Sequence, residues 1–361
     1  MATQEPVRFA VVGSGWRSQF FLRLARMAPE QLQVSAVVTR TAERGEQVTA
    51  EWGVPTFRTL DEVAATAPEY VVPSVPWGET PAVTERAVEL GYAVLAETPP
   101  AADADGLRAL WSRVGASGRV QVAEQYLLMP GHAARLAVAR RGVVGTVTGV
   151  QVSSTHMYHA TSLIRGFLGT GFDPVTVVGQ RTTAPLADPL GKDGWTGSLE
   201  PQQAGTTIGL LDFGDGRTAV YDFTDNQWWN PLRARRIVVR GSLGEIVDDS
   251  VVRLVDPRSP VQSHLVRRQR GVDLDLEGVD LDFISFDGEV VYRNPFAGSR
   301  MSDDDVAVAD ILAATGRWVR GDGPAPYPLA EACQDHLVAL AVEEAASSGR
   351  PVTTAREAWA G

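Results

Sequence analysis

Cysteine is almost missing from this chain: Cys333 is the only one in 361 residues. No intrachain disulfide can form, and a cysteine-built metal cluster is excluded. Positive charge is in deficit, with 33 Lys and Arg against 44 Asp and Glu, a net charge of -11. That balance argues against a nucleic-acid partner and against an anionic membrane surface. No stretch of about 18 apolar residues occurs, so no membrane span is expected. The opening Met-Ala-Thr-Gln-Glu-Pro has neither a basic n-region nor an apolar h-region, and a cytoplasmic location is the default expectation. Histidine is scarce, at five. What remains is ordinary for a globular chain: 44% hydrophobic and 21% charged residues, with a length that suggests two domains.

The stretch Val7–Ser18 organises the rest. Its apolar run Phe9–Val12 reads as a buried strand, breaks into Gly13 and Gly15, and gives way to helical spacing over Phe20–Met27. Strand, glycine turn and helix form the context in which G-x-G has meaning. Gly13 allows a tight turn. Gly15, lacking a Cβ, lets a pyrophosphate approach the backbone, where the helix N-terminus offers free N–H groups. Trp16 and Arg17 follow directly, and Ser18 stands where the fingerprint has a third glycine. A ligand-free glycine turn in an α/β sheet is the competing reading.

Further on, Leu32–Val38 is a second apolar strand, ending Val-Thr-Arg with Arg40. An NAD site usually has an acid here for the ribose 2′-hydroxyl. With no acid at Val38, Thr39 or Arg40, Arg40 is free to pair with a 2′-phosphate, and NADP is favoured over NAD. A solvated loop charge is the alternative for Arg40. Ala42–Trp52 is helical, closed by Gly53, and Leu60–Ala65 is a short helix. Tyr70–Val75 is a strand that runs through Ser74 into Pro76-Trp77-Gly78, a loop at a carboxyl end, where ligands sit in open parallel sheets. Helix Pro81–Leu90, strand Tyr92–Ala96, the turn Glu97-Thr98-Pro99-Pro100, helix Leu107–Val114 and strand Val120–Ala123 complete the alternation. That last strand ends in Glu124, Gln125 and Tyr126. Strands alternating with helices predict a doubly wound parallel sheet.

From about Pro130 the pattern changes. Helical Ala133–Arg141 precedes a long strand, Val147–Ser153, and later strands are joined by Asp/Gly turns at Gly214-Asp215-Gly216, Asp287-Gly288 and Gly241–Gly244. An α+β domain with an antiparallel or mixed sheet is expected, closed by helices Asp303–Val319, N-capped by Ser302, and Leu329–Ser347. Pro185–Pro201, rich in Gly, Pro and Asp, is expected as a mobile loop.

Taken in order, the G-x-G start, the Glu-x-Pro turn at Glu97–Pro99 and the segment His159–Gly169 resemble the Gfo/Idh/MocA oxidoreductases, the glucose–fructose oxidoreductase and inositol dehydrogenase group. Arg240-Gly-Ser-Leu-Gly-Glu245 and the closing run Tyr327–Asp335 extend the resemblance over nearly the whole length. It implies an N-terminal Rossmann NAD(P)-binding domain over 1–125. Residues 126–361 would form a C-terminal α+β substrate and oligomerisation domain, with a large, open, mainly antiparallel sheet and terminal helices packing back near the first domain. It implies hydride transfer between a nicotinamide and a sugar or cyclitol carbon, and a homodimer or homotetramer paired through its C-terminal sheets. The family's Glu-Lys-Pro lysine, beside the reacting hydroxyl, is Thr98 here. A family acid four residues before the catalytic histidine is Thr155, and the run from Val152 to His156 is shorter than usual.

Oxidising an alcohol requires a base for its proton, and reduction requires the acid; histidine suits both. His159 opens a helix and is the first candidate, because a helix N-terminus disfavours the imidazolium. Capping or core packing is the alternative. His156 and Tyr126, with Glu124, are further proton-relay or substrate-binding candidates. The three-residue spacing of His156 and His159 lacks the rest of a ligand set, so no metal site is expected. Lys192 and Asp193 would reach a sugar only if their loop folds inward. Trp228 and Trp229 suit a sugar face, or pack beneath a sheet. The candidate cofactor residues are Gly13, Gly15, Trp16, Arg17, Arg40, Ser74, Pro76, Glu97, Thr98 and Gln125. Three readings stand: an NAD(P)-dependent oxidoreductase on a sugar-like polyol, a nucleotide-binding sensor or assembly subunit without turnover, and a tightly held cofactor recycled in a net isomerisation or elimination.

Overall fold

The computed structural model describes residues 5–191, 193–273 and 278–361. Strands and helices alternate through β1 (Val7–Val12), α1 (Trp16–Met27), β2 (Leu32–Val38), α2 (Ala42–Trp52), β3 (Thr56–Phe57), β4 (Tyr70–Pro73), α3 (Thr80–Glu89), β5 (Ala93–Ala96), α4 (Ala104–Val114) and β6 (Val120–Val122). The six strands form one parallel sheet in the order β3-β2-β1-β4-β5-β6. This is the doubly wound dinucleotide-binding order, and its strand order reverses between β1 and β4. Phe9–Val12 of β1 reads as a continuous apolar run because both faces of the sheet are covered. Phe9, Ala10 and Val11 are fully buried, and Phe9 stacks on Tyr70 at 5.4 Å.

Beyond these come α5 (Pro130–Arg140), β7 (Val147–Ser153), α6 (Met157–Leu168), β8 (Thr176–Leu186), β9 (Leu190–Gly191), β10 (Gly194–Trp195), β11 (Gln202–Asp212) and β12 (Thr218–Thr224). Then follow β13 (Arg236–Gly241), β14 (Gly244–Val247), β15 (Ser250–Leu254), β16 (Pro260–His264), β17 (Val266–Arg270), β18 (Asp280–Phe286) and β19 (Glu289–Arg293). The chain closes with α7 (Asp303–Arg320), α8 (Leu329–Ser348) and β20 (Val352–Thr353). Nine strands make an open sheet in the order β16-β15-β14-β13-β7-β12-β11-β8-β20. Its pairings are antiparallel except for β7 with β12. The fold is thus α/β, with a parallel Rossmann sheet followed by a mainly antiparallel one, as expected.

Two compact units emerge: Met1–Pro130, Arg268–Phe283 and Arg293–Cys333 in the first, and Gly131–Arg267, Ile284–Tyr292 and Gln334–Gly361 in the second. The first unit recruits α7 from far along the chain. Ser302 caps α7 in a capping box with Asp305. At Gly316 an added Cβ would fall 2.2 Å from a Val7 methyl, and the Leu312 carbonyl accepts from the Tyr70 hydroxyl at 2.8 Å. In the second unit α8 packs equally closely on the large sheet, where an added Cβ on Gly179 would lie 2.9 Å from the Ala346 nitrogen.

The segment expected as a mobile loop, Pro185–Pro201, is partly strand. Pro185 and Leu186 continue β8 and pair with Gln203 and Gln202, while β9 and β10 pair within the turn. Backbone pairing wins over the Gly/Pro content here because β11 extends equally far. Lys192 lies outside the described residues, and Asp193 is an exposed turn residue.

Candidate functional site

The first unit carries a cleft of about 760 Å³ over the carboxyl ends of its strands. Gly13 shapes its floor. Its φ of +118° is open to glycine, and a Cβ there would fall 2.1 Å from the Ser74 carbonyl oxygen. Its N–H donates to Val38 at 2.9 Å, and the Ser74 N–H donates to Val12 at 2.8 Å, so three strand ends are laced at this turn. Gly15 differs: a Cβ there would meet nothing within 4 Å. It is the N-cap of α1 and offers no side-chain oxygen to the helix's first amides. Ser18, in place of the third glycine, is fully buried, and its hydroxyl has no partner; the Ser74 hydroxyl is also buried and unpartnered. Open space above bare amides, with orphaned hydroxyls beside it, fits a dinucleotide diphosphate.

Gly13, Gly15, Trp16, Arg17 and Arg40 all line this cleft, as do Ser74, Pro76, Glu97 and Thr98. Arg17 is fixed at one end. Its Nε donates to Glu97 at 3.0 Å, and its guanidinium lies 5.0 Å and 5.1 Å from the ring centres of Phe20 and Phe21. Burial opposes its charge, but Glu97 and then Asp304 outweigh this and raise its pKa. Gln125 is not part of the lining: it is buried, and its side-chain amide donates to Asp304 at 3.2 Å. Tyr126 begins a short 3-10 helix, and its N–H donates to the Glu124 carboxylate at 3.1 Å. Tyr126 lies close enough to Arg17 to act on its charge.

Trp77, from the loop expected to carry a ligand, lines the cleft too; sequence reading missed Arg44 and Arg58, which also line it. Arg44 donates to the Ser14 carbonyl at 2.8 Å. Arg58 donates to the Thr39 carbonyl at 2.9 Å, to the Thr39 hydroxyl and to the Thr41 carbonyl. The available signal was Gly45, a glycine inside a helix: an added Cβ there would fall 2.1 Å from an Arg58 guanidinium nitrogen. Lys192 is the sequence's only lysine, so every other side-chain cation is an arginine or a histidine.

His156 and His159 belong to the second unit. Here the structure corrects the expectation that His159 opens the helix. α6 begins at Met157, His156 is its N-cap, and His159 is its third residue. The His156 side chain makes no capping hydrogen bond. Met157 has a left-handed φ of +47°, a costly conformation for this residue, and its N–H donates to the Tyr221 hydroxyl at 3.3 Å. The His156 ring centre lies 4.8 Å from Trp228 and 5.3 Å from His159, and His159 lies 4.5 Å from Tyr158. Trp228 stacks on Phe223, while Trp229 is exposed. Burial, and then His159, lower the His156 pKa to about 3, so the ring is neutral at neutral pH. Ser154 Oγ, Thr155 Oγ1 and His156 Nδ1 are buried without hydrogen-bond partners. No group of three or more potential metal ligands forms among the described residues.

A doubly wound parallel sheet with a glycine-turn cleft fitted to a diphosphate is the architecture of a dinucleotide-binding Rossmann domain. Residues 7–125 match the family model described as oxidoreductase family, NAD-binding Rossmann fold. That model is the Gfo/Idh/MocA one, and the match covers the doubly wound part of the chain alone. No curated protein sequence matches it. Among solved structures it is similar to a myo-inositol dehydrogenase from Corynebacterium glutamicum (18% identity, 97% and 99% of the two chains, TM-score 0.64). It is similar also to an NAD-binding oxidoreductase from Klebsiella pneumoniae (15%, 98% and 100%, TM-score 0.70). A third is a levoglucosan dehydrogenase in complex with NADH and levoglucosan (14%, 98% and 100%, TM-score 0.69). At these identities the likeness is one of fold.

Proposed function

We propose that this protein transfers hydride between a nicotinamide cofactor and the hydroxyl or carbonyl carbon of a sugar or cyclitol-like substrate. The observation that carries the reading is the Gly13–Gly15 turn, with open space above Gly15 and the unpartnered Ser18 and Ser74 hydroxyls beside it. Gly13 and Gly15 present backbone amides to the diphosphate, Trp16, Ser74 and Pro76 wall it in, and Arg17, Glu97 and Thr98 face the reacting end. When bound, the nicotinamide supplies or accepts the hydride. His159 holds or releases the hydroxyl proton, and His156, kept neutral, is a hydrogen-bonding neighbour. Arginine stays charged at any working pH, so Arg17 orients and does not shuttle protons. Gln125 and Tyr126 support the Arg17 end through Asp304 and the Glu124 turn.

Substrate identity in this reading rests on the aromatic wall of Trp228 and Phe223, and on the unpartnered polar atoms at Ser154 and Thr155, which suit a polyhydroxylated ring. The outward side of the nine-stranded sheet, with Val178, Ile208 and Leu210 exposed, suits pairing with a second copy into a dimer or tetramer. The test is nucleotide titration followed by turnover on a panel of sugars and cyclitols. His159→Gln is expected to lower turnover by about 10²-fold or more while leaving cofactor affinity intact. No binding of either NADH or NADPH would end this reading.

Thr98 supports a second reading, a family member that binds nucleotide without turnover. The usual ammonium is missing, and no other lysine among the described residues replaces it. Tight binding with no hydride exchange, and turnover gained by Thr98→Lys, would favour it. Net isomerisation with no free reduced cofactor would instead mark a recycled one.

A further inference from the structure

The cleft has two unlike ends. Its lining carries four arginines (Arg17, Arg40, Arg44 and Arg58) against two carboxylates, Glu79 and Glu97. Glu97 is already engaged by Arg17. The other three arginines gather around the carboxyl end of β2, in a chain whose net charge is -11. This is the place where a ribose 2′-hydroxyl is ordinarily met by an acid. Here Val38 and Thr39 are buried, and the Thr39 hydroxyl is turned into the backbone, donating to Thr41 at 3.0 Å.

The three arginines are not equivalent. Arg40 is exposed and makes no hydrogen bond or ion pair with a described residue. Arg44 donates through one terminal nitrogen to the Ser14 carbonyl, within the glycine turn itself, and through the other to the Gln47 side-chain oxygen at 3.1 Å, which leaves its remaining N–H groups for a ligand. Arg58 spends its donors on Thr39 and Thr41, on either side of Arg40, and so fixes the loop that presents it. Thr41 then caps α2 by accepting from the Arg44 N–H at 3.3 Å. Glu62, four residues after Arg58, accepts from the backbone N–H groups of Arg58 and Thr59 at 2.9 Å. Gly45 completes the arrangement. A glycine inside a helix is unfavourable, and here it leaves the space that the Arg58 guanidinium fills.

We infer that this end of the cleft is a phosphate-monoester subsite that selects NADP(H) over NAD(H). Arg40 and Arg44 are its ligands, and Arg58, admitted by Gly45, is the positioning residue. The inference rests on the proposed nucleotide function and deepens it. Planar guanidinium groups match phosphate oxygens in paired, charge-assisted hydrogen bonds, which the 2′-hydroxyl of NAD cannot return.

The experiment titrates the full-length protein with NADPH and NADH, and with 2′,5′-ADP and 5′-AMP, which differ only in the 2′-phosphate. The phosphorylated member of each pair is expected to bind at least about tenfold more tightly. Arg40→Ala, at an exposed and unpartnered position, should erase most of that ratio while changing NADH and AMP affinity by less than about twofold. Gly45→Ala, which removes no charge but displaces the Arg58 guanidinium, should narrow the ratio in the same direction. A merely structural Arg58 would leave the ratio unmoved. Equal or tighter binding of NADH, or variants that weaken both cofactors alike, overturns the inference and leaves the dehydrogenase reading standing. Failure to bind any of the four ligands overturns both.

Discussion

The two sheets solve burial in opposite ways. The six-stranded parallel sheet is covered on both faces, so its strands read as apolar runs, and Phe9, Tyr70 and Leu95 are wholly enclosed. The nine-stranded sheet alternates. Along β11, Gly209 and Leu211 are buried while Ile208, Leu210 and Asp212 face outward. Polar chemistry divides along the same line. The first unit holds its charges at strand ends and contains no histidine, whereas all five histidines fall in the second. A doubly covered sheet leaves its rim as the place for a ligand. A sheet open on one side can hold ionisable groups in its covered layer and keep the other side for association.

Substitutions can break this contrast. The largest effect is expected inside the second unit, at the Arg165–Asp335 pair, 2.5 Å apart with side chains 4% and 2% exposed. Asp335→Ala leaves a buried guanidinium uncompensated and should cost about 3–5 kcal/mol, read by denaturant unfolding. Arg165→Met with Asp335→Leu should recover much of that loss, because it removes both charges.

Acid comes next. Burial and His159 lower the His156 pKa to about 3, and burial with Arg135 does the same to His132. Both folded values lie below the unfolded value of about 6.5, so the unfolded chain binds more protons in between. The stability these rings contribute is therefore complete above about pH 6.5 and is lost as the pH falls toward 3. Each ring should cost about 3 kcal/mol by pH 4. His156→Gln should flatten the decline in urea melts, and the histidine-free first unit should retain its nucleotide affinity further into acid.

The two glycines of the turn give a finer test within the first unit. Gly13→Ala forces a left-handed φ on alanine and a collision with Ser74, which should cost about 1–3 kcal/mol and abolish nucleotide binding. Gly15→Ala meets open space, so the melting temperature should hold while nucleotide affinity falls. The smallest effect on stability belongs to the outer side of the large sheet. Leu210→Glu should change monomer stability by no more than about 0.5 kcal/mol, yet shift light-scattering mass toward the monomer.

Much of this was legible before any coordinates, because it is local. The strand-glycine-helix sequence at Val7–Met27, the Thr41 cap ahead of α2 and the Ser302 cap ahead of α7 each depend on neighbours within a few residues. Nine of the ten cofactor candidates line the cleft for the same reason, since strand carboxyl ends carry them there. Gln125 lies three residues beyond the end of β6, and its amide is drawn to Asp304 on a helix 179 residues later in sequence. Arg44 and Arg58 escaped notice because nothing local distinguishes them from surface charges. Their role depends on Ser14 and Gly45, which approach them only when α2 and β3 fold back on β2.

Periodicity and turn chemistry in the chain alone pointed to the alternating strands and helices of the first sheet, to its parallel order and to a glycine turn after β1. Tertiary structure alone decided that α7 belongs to the first sheet and that three arginines converge beyond β2. It also decided that His156 is buried in its neutral form. The physical reason is common to all three. Backbone propensity acts over a few residues, whereas burial and charge depend on whichever distant side chains the fold brings within a few ångströms.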